Sequence, residues 1–194
     1  GSSDEHPPFP GVICASVNHE ICHGIPDERT LKEGDVIGID IGLRYHGYCG
    51  DACYTFAVGQ VSPATERLMG IGKEALRIGI ESAQPGNYLY DIGKAINDYT
   101  DSQNVSVVHS WGGHGIGRAL HEPLSVSHLR QPSRGPMLRP GMTFTIEPMI
   151  NAGTHEWFML NACWTVVPAD NKQSVQYEHT IVVTMIGTEL LTQG

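Results

Sequence analysis

The chain has 194 residues, 40% hydrophobic and 17% charged, the proportions of a globular protein long enough to bury a core. A net charge of −9, from 12 Lys and Arg against 21 Asp and Glu, leaves no basic footprint for nucleic acid. No apolar run approaches the ~20 residues that span a bilayer, and no signal peptide is visible.

Gly1-Ser2-Ser3 reads as a cloning remnant, and residues 4–13 as Pro-rich, extended backbone anchored by Phe9 and Ile13. Cys14–Asn18 alternates like a short strand, and Cys22-His23-Gly24-Ile25-Pro26 reads as a loop. His23 there is either a satisfied loop histidine or a functional one. Five cysteines, Cys14, Cys22, Cys49, Cys53 and Cys163, are widely spaced without a CxxC pair, which fits reduced thiols in a cytosolic protein.

Val36–Ile41 and Tyr48–Phe56 read as two strands joined by a tight turn. A turn centred on Tyr45-His46 pairs Leu43 with Tyr48, Ile41 with Gly50, and Asp40 with Asp51. Opposed residues have Cβ atoms roughly 4.5–5.5 Å apart on one face. Two ionised carboxylates that close repel by roughly 4 kcal/mol at an effective dielectric of about 20. Either one acid keeps a proton or cations lie between them. Period 2 puts Ile37, Ile39 and Ile41 on the opposite, apolar face.

Ser62-Pro63 opens a helix with an N-cap and Pro at N1, and Leu68, Ile71, Ala75 and Ile78 form its apolar stripe up to Pro85-Gly86. A second helix runs from about Leu89 to Gln103 on Ile92, Ala95, Ile96 and Tyr99. Both are expected to cover the Ile37/Ile39 face. Val105–Val108 reads as a strand leading into His109–Pro123, whose Gly112, Gly113, Gly115 and Gly117 read as a flexible loop. Its Gly-Ile-Gly has no helix signal behind it and makes a poor phosphate cradle.

The later part then repeats the earlier. Leu31-Lys-Glu-Gly34-Asp-Val-Ile-Gly-Ile39-Asp40 aligns with Leu138-Arg-Pro-Gly141-Met-Thr-Phe-Thr-Ile146-Glu147, in each case a turn, a strand and an acid. An internal duplication accounts for this best. Met142, Phe144 and Ile146 should face the core, with Thr143, Thr145 and Glu147 opposite. A last strand pair is expected at about Cys163–Pro168 and Ser174–Thr184, where Gln176, Glu178 and Thr180 share a face. Four strand-borne acids, Asp40, Asp51, Glu147 and Glu178, with one or two loop histidines make a ligand set for two divalent ions of the Mn, Fe, Co or Zn type.

The segments Cys22-His-Gly-Ile-Pro26, Ile39-Asp40 to Gly50-Asp51, Gly113-His-Gly-Ile-Gly117 with His121-Glu122, Pro140–Pro148, Trp164-Thr-Val and Gln176–Thr180 closely resemble type I methionine aminopeptidases. The resemblance runs from about residue 9 to the C-terminus. It implies a single catalytic domain over 1–194 with the α/β (α+β) pita-bread fold, a pseudo-twofold, antiparallel-rich sheet covered by helices on one face. By position, Asp40, Asp51, His114, Glu147 and Glu178 match the metal ligands, with Asp51 and Glu178 bridging the two ions. His23 and His121 match the two further histidines of the site, and Phe9, Cys14, Leu120 and Trp164 the methionine side-chain pocket. A monovalent cation near Asn18 and Ser174 is implied as well.

The implied activity is removal of initiator methionine from nascent peptides with a small second residue, in the cytoplasm and at the ribosome. A hydroxide between the two ions would attack the scissile carbonyl while Glu147 shuttles its proton. The alternatives are a proline-directed peptidase of the same fold and a catalytically weak peptide-binding relative. The sequence departs from the family in lacking a further N-terminal helical segment before Phe9. Leu120 also stands where an aromatic is common, Gly42, Cys49 and Ala52 replace more polar neighbours of the aspartates, and Ala162-Cys163 precedes Trp164.

Overall fold

The computed structural model describes residues 8–160 and 164–193. Its elements, in chain order, are β1 (Cys14–Val17), β2 (Val36–Tyr45), β3 (Tyr48–Ala57), α1 (Pro63–Ser82), α2 (Leu89–Ser102), β4 (Ser106–Val107), β5 (Gly112–Gly115) and β6 (Glu122–Ser127). They continue with β7 (Thr143–Ile146), β8 (Met149–Asn151), β9 (Trp157–Met159), β10 (Val166–Pro168), β11 (Ser174–Gln176), β12 (His179–Val183) and β13 (Thr188–Leu190). Strand order is β1-β2-β3 in one sheet, β13-β12-β7-β5-β6 in another and β11-β8-β4 in a third, with β9 and β10 a separate pair.

The hairpin β2–β3 has a register two residues away from the one expected. Tyr45 pairs with Tyr48, so Asp40 faces Cys53 and Asp51 faces Gly42. The reason lies in the turn. His46 and Gly47 both take positive φ (46° and 84°), the conformation a two-residue hairpin loop of matching twist demands, and Gly47 adopts it without a Cβ penalty. The two aspartates therefore sit diagonally, still on one face.

The duplication is visible in the backbone. Gly34 and Gly141 have φ of 95° and 93°. Each donates its N–H back across its own half, Gly34 to the Val58 carbonyl just past β3 (2.9 Å) and Gly141 to the Val183 carbonyl of β12 (2.8 Å). Each is followed six residues on by an acid, Asp40 within β2 and Glu147 just past the end of β7. A turn that requires φ > 0 explains why glycine recurs at the fourth place of the repeat.

Ser62 caps α1 by accepting the Thr65 N–H, and Pro63 begins the helix. Leu68, Ile71 and Ala75 are buried, while Ile78 is half-buried and Gly79 takes its place on the inner face. Helix α2 buries Ile92 and Ile96 completely. Contrary to expectation the helices do not cover the Ile37/Ile39 face. Their stripes pack with Phe144, Ile146, Ile150, Val175 and Ile181 in one cluster that contains none of Ile37, Ile39 or Ile41. Phe144 and Ile146, both fully buried, give the helices an apolar face to cover, and covering it takes that surface out of water. On the hairpin, Ile41, Leu43, Tyr54 and Phe56 remain 42–54% exposed.

Two further expectations need correction. The glycine-rich stretch is a strand: β5 pairs with β6 on one side and β7 on the other. A Cβ at Gly113 would lie 2.1 Å from the Thr145 carbonyl oxygen, so the close approach of the backbones is what the glycine serves. The expected last strand pair does not form either. β10 pairs with β9, whereas the Ser174–Thr184 stretch divides into β11, paired with β8, and β12, paired with β7 and β13. Ala162 and Cys163 lie outside the described residues.

Candidate metal centre

The two halves meet face to face along β3 and the β11–β12 run. The Thr180 hydroxyl both accepts the Asp51 N–H (2.9 Å) and donates to the Asp51 carbonyl (2.8 Å). The Glu178 N–H donates to the Cys53 carbonyl (2.8 Å), and the Thr55 hydroxyl donates to the Gln176 carbonyl (2.8 Å). These bonds put Asp51 of β3 beside Glu178, in the break between β11 and β12, at the seam.

Opposite them, Thr145 joins β5 to β7. Its hydroxyl accepts the His114 N–H (3.0 Å) and donates to Glu147 Oε1 (2.8 Å). Gln176 Nε2 donates to the other Glu147 oxygen (3.3 Å), and His128 Nε2 accepts the Glu147 N–H (3.2 Å). His114 Nδ1 lies 3.0 Å from its neighbour's carbonyl at Gly115, which can only accept, so Nδ1 carries the proton. The lone pair of Nε2 then points into the site, 3.7 Å from both Asp51 Oδ2 and Glu147 Oε1.

The five expected ligands therefore converge, and all line one cavity of about 500 Å³ with His23 and His121. Donor atoms of Asp51, His114 and Glu178 lie within 4.8 Å of one another. Asp51 Oδ1 and Glu178 Oε1 are buried without a hydrogen-bond partner among the described residues. No Lys or Arg is among the residues that line the cavity. Burial and then repulsion from Asp51 push Asp40 up to about 7. Burial likewise raises Glu147, against the Thr145 hydroxyl that favours its charged form, and raises Glu178, which Glu147 also repels. Orphaned oxygens and acids that resist ionisation are what a carboxylate-rich site shows when its cations are taken away, and hard oxygen donors with one imidazole suit divalent ions. The residues fit the group.

A second cavity of about 280 Å³ opens on the first. Phe9, Cys14, Gly42, Leu120 and Trp164 line it, together with His23, Asp40, Asp51 and His121. Every residue expected in a side-chain pocket is there. Phe9 meets Trp164 edge to face at 5.3 Å, and His23 stands edge-on to Trp111 (5.2 Å) and Trp164 (5.9 Å). The His121 ring lies 4.2 Å from that of His114. Burial lowers the pKa of both His23 and His121, helped by their mutual repulsion at His23 and by His114 at His121. Both imidazoles are thus held neutral, each with one N–H to give. Asn18 and Ser174 adjoin, the Ser174 N–H donating to the Asn18 carbonyl at 3.0 Å.

Sequence reasoning missed Trp111 and His128. Trp111 carries no spacing signal in a glycine-rich stretch, and His128, flanked by Ser127 and Leu129, reads as surface until the fold buries it to 1% exposure.

No helix among the described residues is long and apolar enough to cross a membrane. The family model described as metallopeptidase family M24 matches residues 2–185. Methionine aminopeptidase B of Synechocystis is 47% identical over 188 residues, covering 96% of this chain and 69% of that protein. The crystal structure of methionine aminopeptidase from Rickettsia prowazekii superposes with a TM-score of 0.93 at 42% identity, covering 95% of this chain and 75% of that one. The architecture is thus the pita-bread fold. Prolidase from Pyrococcus furiosus, at 22% identity and a TM-score of 0.76, shares the fold alone. The chain belongs to metallopeptidase family M24, among its methionine aminopeptidases.

Proposed function

We propose that the chain releases an N-terminal methionine from peptides whose second residue is small, using two divalent ions held by Asp40, Asp51, His114, Glu147 and Glu178. The observation that carries this reading is the joining of the two cavities: an apolar slot walled by Phe9, Cys14, Leu120 and Trp164 ends at Asp40 and Asp51. A thioether in that slot makes sulfur–aromatic contacts worth about 0.3–1.5 kcal/mol each. Its own peptide bond then lies over the acids.

When bound, the ions supply an acidified water and positive charge against the oxyanion that forms at the scissile carbonyl. Glu147 takes and returns the proton. Thr145 and Gln176 hold its two oxygens in place for that task. His121 donates its N–H to charge developing on the scissile amide, and His23 contacts the peptide next to it. A monovalent cation beside the Asn18 carbonyl belongs to the same reading. Nascent chains carry initiator methionine at the ribosome, in the cytoplasm, and that is where this reaction has its substrate.

The test is release of methionine from Met-Gly- and Met-Pro-type peptides after chelation and readdition of Mn, Fe, Co or Zn one at a time. Metal-dependent release from the Met-Gly type is expected. Cleavage confined to bonds before proline, or none with any metal, overturns the reading.

A further inference from the structure

The loop Gly117–His121 joins the expected ligand His114 to the overhanging His121, and it is clamped from two sides. From within, Glu122 Oε1 accepts the backbone N–H groups of Arg118 (2.8 Å) and Ala119 (3.2 Å). The Gly117 N–H donates to the Ala119 carbonyl (3.1 Å), closing the turn. A Cβ at Gly117 would lie 2.9 Å from that same Glu122 oxygen, so the glycine makes room for the carboxylate. From without, the tip of the β2–β3 hairpin holds the loop. The Cys49 N–H donates to the Gly117 carbonyl (2.7 Å), Arg44 donates to the Arg118 carbonyl, and the Arg118 guanidinium lies 4.8 Å over the Tyr48 ring and donates to its hydroxyl (3.1 Å).

Glu122 thus lines the cavity of the acids with one oxygen committed to two amides. Two amides converging on one side-chain oxygen tie successive residues of the turn to a single point and make a glycine-containing turn a fixed mount. We propose that Glu122 is a positioning residue for His121: by gathering the Arg118 and Ala119 amides it fixes the loop so that the imidazole stands over His114 and the scissile bond. The proposal rests on the aminopeptidase reading of the same site. Glu122 acts through the backbone, so its acceptor oxygen matters more than its charge.

Glu122→Ala should lower kcat about 10- to 100-fold, the scale of a misplaced catalytic group, with KM and metal content unchanged. Glu122→Gln keeps an acceptor in place and should restore kcat to within about 5-fold of wild type. Glu122→Asp, one methylene short, should behave like Ala, and it serves if the Ala variant does not fold. In a His121→Ala background, Glu122→Ala should add less than about 2-fold, because residues that act as one unit are not additive. In the metal-free chain, the His121 ring signal in NMR should shift in Glu122→Ala and stay in Glu122→Gln. A full extra loss in the His121→Ala background, loss of metal in Glu122→Ala, or a Gln variant as poor as Ala each overturns the role. A wild-type chain inactive with every metal instead overturns the aminopeptidase reading, and this role falls with it.

Discussion

At the scale of single residues, two side chains carry the proposed reading's expectations for rate and selectivity. His121 touches no acid of the cluster, yet its ring lies 4.2 Å from that of His114. A donor to charge that appears only in the transition state should lower kcat by roughly 10²–10³-fold when removed, so His121→Ala should do so while metal content stays constant. Metal analysis beside kinetics checks this, and loss of an ion would make His121 a ligand. Leu120 stands where an aromatic is common in the family. A Cβ at Gly42 would lie 3.2 Å from Leu120 Cδ1 and 3.5 Å from Asp51 Oδ1, so the two departures from the family pattern touch each other. Leu120→Phe gains a sulfur–aromatic contact and should raise the methionine-over-leucine ratio of kcat/KM by about 2- to 10-fold. The ratio on matched peptides measures it. No change would show that the thioether does not reach Leu120.

At the scale of elements, the helix glycines show when packing overrides propensity. Gly70 is exposed in α1, and a Cβ there would meet nothing within 4 Å. Gly70→Ala should stabilise by about 1 kcal/mol, the propensity difference alone. Gly93 is in α2, where a Cβ would lie 2.5 Å from the carbonyl oxygens of Ser127 and Leu129. The same propensity gain acts there, but backbone cannot give way as a flexible side chain can, and overpacking costs about 1–3 kcal/mol or more. Gly93→Ala should therefore destabilise. Urea titration of the two variants is the comparison, and a gain at both sites would mean that α2 does not press on β6. Sequence alone assigns both residues to helices. Which neighbour each faces is a tertiary fact.

At the scale of the molecule, the acids that build the site oppose its folding until cations arrive. Divalent ions that bind only the native state add RT ln(1 + [L]/Kd), about 2.7 kcal/mol at a hundredfold excess over Kd. Chelation should lower the melting temperature, and Mn or Co should restore it. Unfolded, Asp40 titrates near its ordinary 3.8; folded, near 7. Glu147 and Glu178 are raised in the same sense. The native state then holds protons that the unfolded chain has released, so these groups favour folding most at low pH and lose that contribution as pH rises through the folded value. Each such proton is worth about 1.4 kcal/mol per pH unit. Buried His128, pushed down to about 3, acts oppositely, but its effect ends near the unfolded histidine value of 6.5. Between pH 6.5 and 8 the acids decide, and the chelated chain should melt lower at pH 8. An equal or higher melting temperature at pH 8 would show that the acids are already compensated without metal.

The sequence by itself determined the site's inventory. Asp40 and Asp51 sit on strands, where period 2 assigns a face from local order alone, whereas Glu147 and Glu178 fall in the short breaks after β7 and before β12 rather than on the strands expected of them. The repeat of turn, strand and acid carried the pseudo-symmetry for the same reason: a φ near 95° leaves glycine as the ready choice at Gly34 and Gly141. Helix limits were legible because caps and prolines are local signals, here Ser62 and Pro63. What tertiary structure decided was every choice between distant partners. Register in the hairpin turned on which two residues took positive φ, His46 and Gly47, and a count outward from a turn centred on Tyr45-His46 does not see that. The helices settled on Phe144 and Ile146 rather than Ile37 and Ile39 because buried area, a property of assembled faces, ranks the candidates. Glycines at 112, 113 and 115 looked like a flexible loop because their purpose, letting β5 lie against β6 and β7, exists only once those strands are beside it.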